Sequence, residues 1–246
     1  MFFCTFCGFV LLVATLSGSS AVPLDTRIVN GVTATNGQYP YMVSLRSANI
    51  HFCGGSIINN NWVLTAAQCF NTITNYAITV GTNNLNAGGT NYATVTHLKH
   101  PSYNPTTLNY DAAVVKTAIP IGFSLTIKAV ALTSTIPNVG SNSIVTGWGY
   151  TVFPLSPYSV DLKALTTKLI SQTDCQNRLN SLTYTIAQTH SCAYIGRSGA
   201  CIGDEGSPLV FNNAQFGILS TYTCGQGFPD MDKSGKLFRE YTATVN

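Results

Sequence analysis

The chain has 246 residues, of which 45% are hydrophobic and only 9% are charged, with a formal net charge of +3. Disordered chains show high charge with low hydrophobicity, so this composition predicts a folded protein. It also excludes a typical nucleic-acid binder, because Lys163, Lys168, Arg178 and Arg197 stand apart and no basic run is present. We expect these residues to be isolated, solvated charges.

The N-terminus has the features of a secretory signal peptide. An apolar run over 2–16 is followed by small residues, and Ser19 and Ala21 satisfy the requirement of signal peptidase. The run is shorter than the roughly 20 residues that a membrane span needs. We therefore predict a signal peptide over 1–21 and a secreted, extracellular protein that does not associate with membranes.

Two of the eight cysteines, Cys4 and Cys7, lie in this leader, which leaves six in the remaining chain. An even number of cysteines in an exported protein predicts disulfides, although the spacing alone does not choose their pairing. No CxxC motif or neighbouring pair of histidines indicates a zinc site. We expect no metal and no cofactor, and we interpret the four histidines as surface or satisfied polar residues.

After the leader, short apolar and β-branched runs alternate with turn residues, which predicts an all-β barrel or sandwich. Helical patterns are confined to 172–179, opened by Ser171, and to 237–242 near the end of the chain. The predicted strands are Tyr41–Leu45, Trp62–Thr65, Tyr76–Val80, Ala93–Leu98, Ala112–Lys116, Ser143–Thr146, Leu165–Ile170 and Pro208–Val210.

From Arg27–Gly31 onward the chain resembles the chymotrypsin/trypsin family of serine proteases (peptidase S1), and the resemblance extends over 27–246. It implies an all-β fold of two antiparallel β-barrels with the active site between them, and a short C-terminal helix. It also implies an activation propeptide over 22–27 and a protease domain over 28–246. Seven further segments follow in the order and spacing of the family: Tyr39–Leu45, His51–Ile58, Trp62–Cys69, His100–Asn104, Asn109–Val115, Thr146–Gly149 and Gly203–Val210.

The family pattern also implies how the six cysteines pair. The implied disulfides are Cys53–Cys69, Cys175–Cys192 and Cys201–Cys224. Closing the loop between Cys53 and Cys69 contributes about 3 kcal/mol in the chain-entropy account of disulfide stabilisation.

The catalytic positions implied by the resemblance are degenerate. Where the family has Ala-Ala-His-Cys this chain has Gln68, and where it has Gly-Asp-Ser-Gly-Gly-Pro this chain has Glu205, with Ser207 at the second glycine. Only the carboxylate, Asp111, is retained. An amide does not exchange protons near neutral pH and cannot be the general base. We interpret Glu205 as an anion without an adjacent base, and we expect no peptidase activity.

The residues around these positions are retained. The resemblance implies an oxyanion hole formed by the backbone N–H groups of Gly203 and Glu205, and the Glu205 carboxylate itself is a candidate to occupy those donors. Cleavage after Arg27 would free an α-amino group at Ile28 that pairs with Asp204, a buried pair whose loss costs about 3–5 kcal/mol. The alternative is that Arg27 is inherited and not cleaved.

The specificity pocket implied by the resemblance has changed. Gly199 occupies the position of the trypsin-type Asp, Ser220 begins the segment that forms the pocket wall, and Tyr222 is expected near the pocket mouth. Asp230 replaces a common glycine. It either attracts a basic side chain or is a solvated loop residue, and both alternatives remain open here.

We expect a catalytically inactive, arthropod-like serine protease homologue, a secreted monomer that acts by binding or regulation. Its partner would be a protein, namely a protease, an inhibitor or a cascade component. Two alternatives remain: an inert secreted component, such as a venom, salivary or digestive protein, and an active serine endopeptidase. A new acid–base pair of Asp111 with Glu205, as in a glycosidase, is disfavoured because no sugar-binding cleft is indicated.

Overall fold

The structure is a computed structural model that describes residues 28–151, 157–182 and 185–234. The predicted signal peptide, the propeptide with Arg27 and the predicted C-terminal helix all lie outside these residues. Within the described ranges, no helix combines the length and apolar character needed to cross a membrane.

Six antiparallel strands close the first barrel, and a tight hairpin begins it. Ala48 and Asn49 form this two-residue turn with φ angles of 48° and 65°, the conformation that matches the twist of the flanking strands. The barrel order is β2-β3-β4-β7-β6-β5. These strands are β2 (Met42–Ser47), β3 (Ile50–Ile57), β4 (Trp62–Thr65), β5 (Ala77–Val80), β6 (Thr90–Lys99) and β7 (Ala113–Thr117).

Six further strands close the second barrel. They are β9 (Asn142–Gly147), β10 (Lys163–Ile170), β11 (His190–Tyr194), β12 (Pro208–Phe211), β13 (Ala214–Thr221) and β14 (Asp230–Ser234). Their order is β10-β11-β14-β13-β12-β9, and the barrel closes because β9 pairs with both β12 and β10. Two short strands extend the sheet: β1 (Val32–Thr33) pairs with β10, and β8 (Ala131–Leu132) pairs in parallel with β13.

The predicted all-β fold of two barrels is confirmed, and each of the eight predicted strands coincides with or overlaps an observed strand. The predicted helix over 172–179 is α1 (Gln172–Leu179), and Ser171 caps it by accepting a hydrogen bond from the backbone N of Asp174. A 3₁₀ turn (Ala67–Phe70) follows β4. Each barrel encloses its own apolar core, so the site between the barrels is built from loops and strand ends.

Polar contacts join the barrels where those loops meet. The backbone N of Gly54 in β3 donates to the carbonyl O of Glu205 at 2.8 Å, and Ser56 Oγ donates to Gln215 Oε1 at 2.6 Å. Three disulfides join the cysteine pairs that the resemblance implied: Cys53–Cys69, Cys175–Cys192 and Cys201–Cys224.

One expectation about surface charge is wrong. Lys163 is fully buried on β10, where its Nζ donates to Thr33 Oγ1 of the neighbouring strand β1. Its long side chain therefore packs inside the protein and is not a solvated charge.

Candidate active site

Asp111 is the retained carboxylate of the site, and it is completely buried just before β7. Its Oδ1 accepts from the backbone N of Gln68 at 2.8 Å, and its Oδ2 accepts from Gln68 Nε2 at 2.8 Å and from Ser220 Oγ at 2.6 Å. Ser220, assigned from the sequence to the specificity pocket, thus directs its hydroxyl to the carboxylate.

Gln68 sits in the 3₁₀ turn after β4 and uses its amide group twice. Besides Asp111, Nε2 donates to the carbonyl O of Ser220. A primary amide has two N–H donors, so these two bonds fix its orientation and use both hydrogens. The amide therefore reproduces the hydrogen-bonding role of an imidazole toward Asp111 without its capacity to accept a proton.

The loop that carries Glu205 depends on two glycines. Gly203 has φ +96°, and a Cβ there would approach Tyr158 Cε1 to 2.4 Å; Gly206 has φ +82°, and a Cβ there would meet Thr65 Oγ1 at 2.1 Å. Both the backbone conformation and the space therefore require glycine. This tight turn aims the Glu205 side chain back at the loop's own backbone.

The Glu205 carboxyl occupies the backbone donors that the resemblance assigned to an oxyanion hole. Its Oε2 accepts from the backbone N of Gly203 at 2.7 Å. The carboxyl also accepts from its own backbone N–H and from the Tyr222 hydroxyl. Backbone N–H groups that would stabilise a developing oxyanion are thus used within the resting protein.

Burial disfavours the anionic form of Glu205. Desolvation raises the pKa of its carboxyl to about 7, since this outweighs the lowering effect of the hydrogen bonds from backbone and Tyr222. The negative charge of Asp111 raises this pKa further. A carboxyl with this pKa is present in both protonation states around pH 7.

Asp204 lies fully buried next to it. Its Oδ1 accepts from the backbone N of Gly149 at 2.7 Å and its Oδ2 from that of Cys201 at 3.0 Å. Burial nevertheless raises the pKa of Asp204 to about 7. Ile28, the predicted new N-terminus, is also completely buried and packs in the core of the second barrel.

A buried histidine of the first barrel forms a hydrogen bond with the loop that carries Glu205. His51 Nε2 lies 2.9 Å from the carbonyl O of Gly203, an acceptor, so Nε2 carries the proton. His51 Nδ1 then accepts from Ser44 Oγ at 2.9 Å, and Ser44 Oγ accepts from Arg46 Nε at 3.0 Å. Burial lowers the pKa of His51 to about 4, so the ring is neutral and structural.

The other three histidines have contacts elsewhere. His97 bonds the Tyr76 hydroxyl, His100 accepts from the backbone N of Ser102 and stacks on Tyr110, and His190 accepts from the backbone N of Ala187. The expectation that the histidines are surface or satisfied polar residues is consistent with these contacts. Within the described residues, no group of three or more His, Cys, Asp or Glu side chains is arranged to hold a metal ion.

The structure excludes one of the two interpretations of Asp230. The residue is 8% exposed, and its carboxylate accepts from the backbone N of Ala200 and of Thr223 and from Thr223 Oγ1. It is not a solvated loop residue. A Cβ on Gly199 would lie 2.7 Å from Asp230 Oδ2, so the carboxylate lies against the position where the trypsin-type Asp is absent. Burial raises its pKa to about 7.

Several residues of the site were missed by the sequence reasoning. Tyr150 and Tyr158 pair across an isolated bridge beside Gly203, a contact that no local sequence pattern indicates. Ser207 was noticed only as a departure from the family motif. In the structure its Oγ is fully buried without a hydrogen-bond partner, and a Cβ on Gly54 would lie 2.1 Å from it.

Comparison with known proteins places this geometry in a family. The family model described as Trypsin matches residues 28–233. The chain is 38% identical over 217 residues to a trypsin of Sarcophaga bullata, which covers 86% of this chain and 85% of that protein. The chain belongs to the trypsin family.

A second relative and a solved structure also match over most of the chain. Achelase-1 of Lonomia achelous is 35% identical over 210 residues, which covers 80% of this chain and 97% of that protein. The solved structure of neuropsin, described as a serine protease of mouse brain, superposes with a TM-score of 0.81. It covers 87% of this chain at 24% identity, and thus supports the fold alone. Gln68 and Glu205 both lie inside the matched range.

Proposed function

We propose that this protein is a non-catalytic serine protease homologue that is secreted and acts by binding a protein partner. The observation that carries the proposal is the side chain of Glu205, which stands at the nucleophile position and fills the oxyanion donors. Gln68 supplies hydrogen bonds to Asp111 but no proton acceptor for a nucleophile. Loss of either the serine or the histidine alone lowers kcat by about 10⁶-fold in a serine protease of another fold.

The competing function is an active endopeptidase. It is favoured by relatives that are named trypsins and by the retained Asp111, Asp204 and His51. His51 does not replace the missing base, because both of its ring nitrogens are engaged with Ser44 and Gly203. Asp204 and Asp111 shape the site but need a serine and an imidazole to cut a peptide bond.

The test measures hydrolysis of fluorogenic peptides with Arg, Phe or Ala before the scissile bond, with and without pre-treatment by trypsin that is afterwards inhibited. We expect no turnover and no labelling by a fluorophosphonate, which reacts with an activated serine. Turnover by the wild-type chain would refute the proposal. The matched comparison is the double variant Gln68→His/Glu205→Ser, whose activity we expect to stay poor because Ser207 and Tyr222 still disturb the site.

Secretion and processing belong to the same proposal. The leader over 1–21 and the disulfides that the family shares support export. Retention of Arg27, Ile28 and Asp204 supports cleavage after Arg27. N-terminal sequencing of the secreted protein tests this: a start at Ile28 is expected, and a start at Val22 would exclude processing.

Pull-down from the secreting tissue separates partner binding from the alternative of an inert secreted component.

A further inference from the structure

Three tyrosines from two chain segments lie together beside Glu205, and two of them, Tyr158 and Tyr222, interact with its carboxyl. Tyr150 and Tyr158 face each other across an isolated antiparallel bridge, with ring centroids 5.2 Å apart and planes inclined at 69°. Tyr222 follows β13 and donates its hydroxyl to Glu205. The three tyrosines and Glu205 are half-buried, so their side chains line the surface of the site and are not enclosed in the core.

The backbone of Gly203 brings the two tyrosine segments together at the carboxyl. The missing side chain of Gly203 leaves room for the Tyr158 ring, since a Cβ there would lie 2.4 Å from Cε1. The N–H of the same residue donates to Glu205 Oε2. Tyr158 and Tyr150 are both close enough to Tyr222 to interact with it electrostatically, and Tyr158 interacts likewise with Glu205. The carboxyl therefore lies at the edge of a small group of aromatic rings, in contact with Tyr222 and close to Tyr158.

Glu205 meets no cationic group among its described contacts. The carboxylate is anionic when deprotonated, the neighbouring charge that acts on it is the negative Asp111, and aromatic ring faces attract cations. Among the described contacts of Glu205, the donors are neutral N–H and O–H groups. A positively charged group is the species that complements such an arrangement.

We propose that Glu205, together with Tyr150, Tyr158 and Tyr222, forms a binding site for an ammonium group. This inference rests on the proposed non-catalytic function, because it assigns the former nucleophile position to recognition. The existing hydrogen bonds select the shape of the cation. A guanidinium binds a carboxylate through two parallel bonds, and here Gly203 N already occupies Oε2 and Tyr222 takes a further position. A compact ammonium needs a single approach and fits better.

The ammonium group has two possible sources: a lysine side chain of a protein partner, or a small free amine. Both offer the same chemistry to the carboxyl and the rings. A lysine-containing peptide and a free alkylamine therefore form the two arms of the experiment.

The full secreted chain is titrated with n-butylammonium and, separately, with neutral n-pentanol. Binding is measured by calorimetry and by the NMR shift of the Gly203 amide resonance. We expect saturable binding of the ammonium alone, with a shift of the Gly203 resonance. Glu205→Gln keeps the shape and removes the charge, and should weaken binding by about tenfold or more. Asp174→Asn removes a partly exposed carboxylate on α1, outside the site, and is the matched control; it should leave this affinity unchanged.

A further variant guards against loss of fold. Tyr150→Leu removes one aromatic ring from the group, and we expect it to weaken ammonium binding while the chain stays folded. A peptide with one lysine is compared with its norleucine and arginine counterparts. Tighter binding of the lysine peptide than of butylammonium identifies a partner side chain as the ligand, and equal binding identifies a free amine.

Two outcomes would overturn the inference: no saturable ammonium binding to the wild-type chain, or weakening by Asp174→Asn as large as that by Glu205→Gln. The same preparations are assayed for peptide hydrolysis. Peptide hydrolysis would refute the proposed function, whether or not butylammonium binds. If the chain neither hydrolyses peptides nor binds butylammonium, only the ammonium site is refuted.

Discussion

At the scale of single residues, Ser207 is a hydroxyl that the fold does not satisfy. Its Oγ is fully buried without a partner and lies against Gly54. A buried hydroxyl without a hydrogen bond costs about 1–3 kcal/mol. Ser207→Ala removes that cost and should raise the free energy of unfolding by about 1 kcal/mol, measured by urea denaturation.

Ser56→Ala is the matched control for this substitution. Ser56 is equally buried, but its hydroxyl donates to Gln215 Oε1 at 2.6 Å, so its removal should lower the free energy of unfolding. If both variants are destabilised alike, Ser207 has a partner in solution and its departure from the family motif is harmless.

The identity of the altered residues could be predicted from sequence, but the direction of their side chains could not. Gln68 and Glu205 stand inside motifs whose flanking residues fix their positions. Where the Glu205 carboxyl turns depends on Gly203, on Tyr222 and on Tyr158, which are brought together only by the folded loops. Asp230 shows the same limit, because its contact with Gly199 is a contact between separate segments.

At the scale of elements, His51 links the first barrel to the loop that carries Glu205. It receives a hydrogen bond from Ser44 on β2, belongs to β3, and donates to Gly203. His51→Phe keeps a ring between Trp148 and Tyr158 but leaves the Ser44 hydroxyl and the Gly203 carbonyl without this partner. We expect a loss of about 2–4 kcal/mol in unfolding free energy.

Hydrogen exchange gives this prediction a local readout. The Gly203 amide should exchange faster in His51→Phe than in the wild type, because its loop loses an anchor. His97→Phe is the control: that ring is half-exposed, stacks on Phe70 at 4.1 Å, and should affect neither the loop nor the Gly203 amide. Unchanged exchange in His51→Phe would mean that the loop is held without His51.

The helix α1 provides a test of local sequence signals. Ser171 Oγ accepts from the backbone N of Asp174 at 3.0 Å and satisfies one of the free N–H groups of the first turn. Ser171→Ala should lower the free energy of unfolding by about 1 kcal/mol, measured by thermal denaturation. Thr173→Ala, an exposed change in the same turn, should stay within about 0.5 kcal/mol.

Local signals predicted this helix and eight strands, and they failed for elements defined by pairing. The strand β3 contains Gly54 and Gly55, which weaken a strand pattern, yet both glycines are required by close neighbours in the barrel. The strand β14 is polar and short, and its register with β11 and β13 defines it. Such strands follow from barrel closure, which sequence alone indicates only through the family resemblance.

At the scale of the whole molecule, the junction of the barrels concentrates buried acidic groups. Asp111 and Asp204 are buried there with Glu205 between them, and Asp230 is buried nearby in the second barrel. The chain has only nine acidic residues, so a large share of its negative charge is withdrawn from the surface. The folded surface therefore carries less negative charge than the composition alone suggests.

This junction also makes stability depend on pH. The pKa values of Asp204 and Asp230 are raised to about 7 by burial, whereas an unfolded aspartate titrates near about 4. Between these values the folded chain binds more protons than the unfolded chain, so this stabilisation is present at acid pH and is lost as the pH rises through 7. Each group contributes up to about 4 kcal/mol. Urea unfolding from pH 5 to 9, with Arg27→Gln to prevent release of an α-amino group, should show stability that falls up to about pH 7 and levels off at higher pH. Asp230→Asn should flatten this decline while the exposed control Asp174→Asn should not, and stability that rises from pH 5 to 8 would contradict the buried, uncompensated state of these carboxyls.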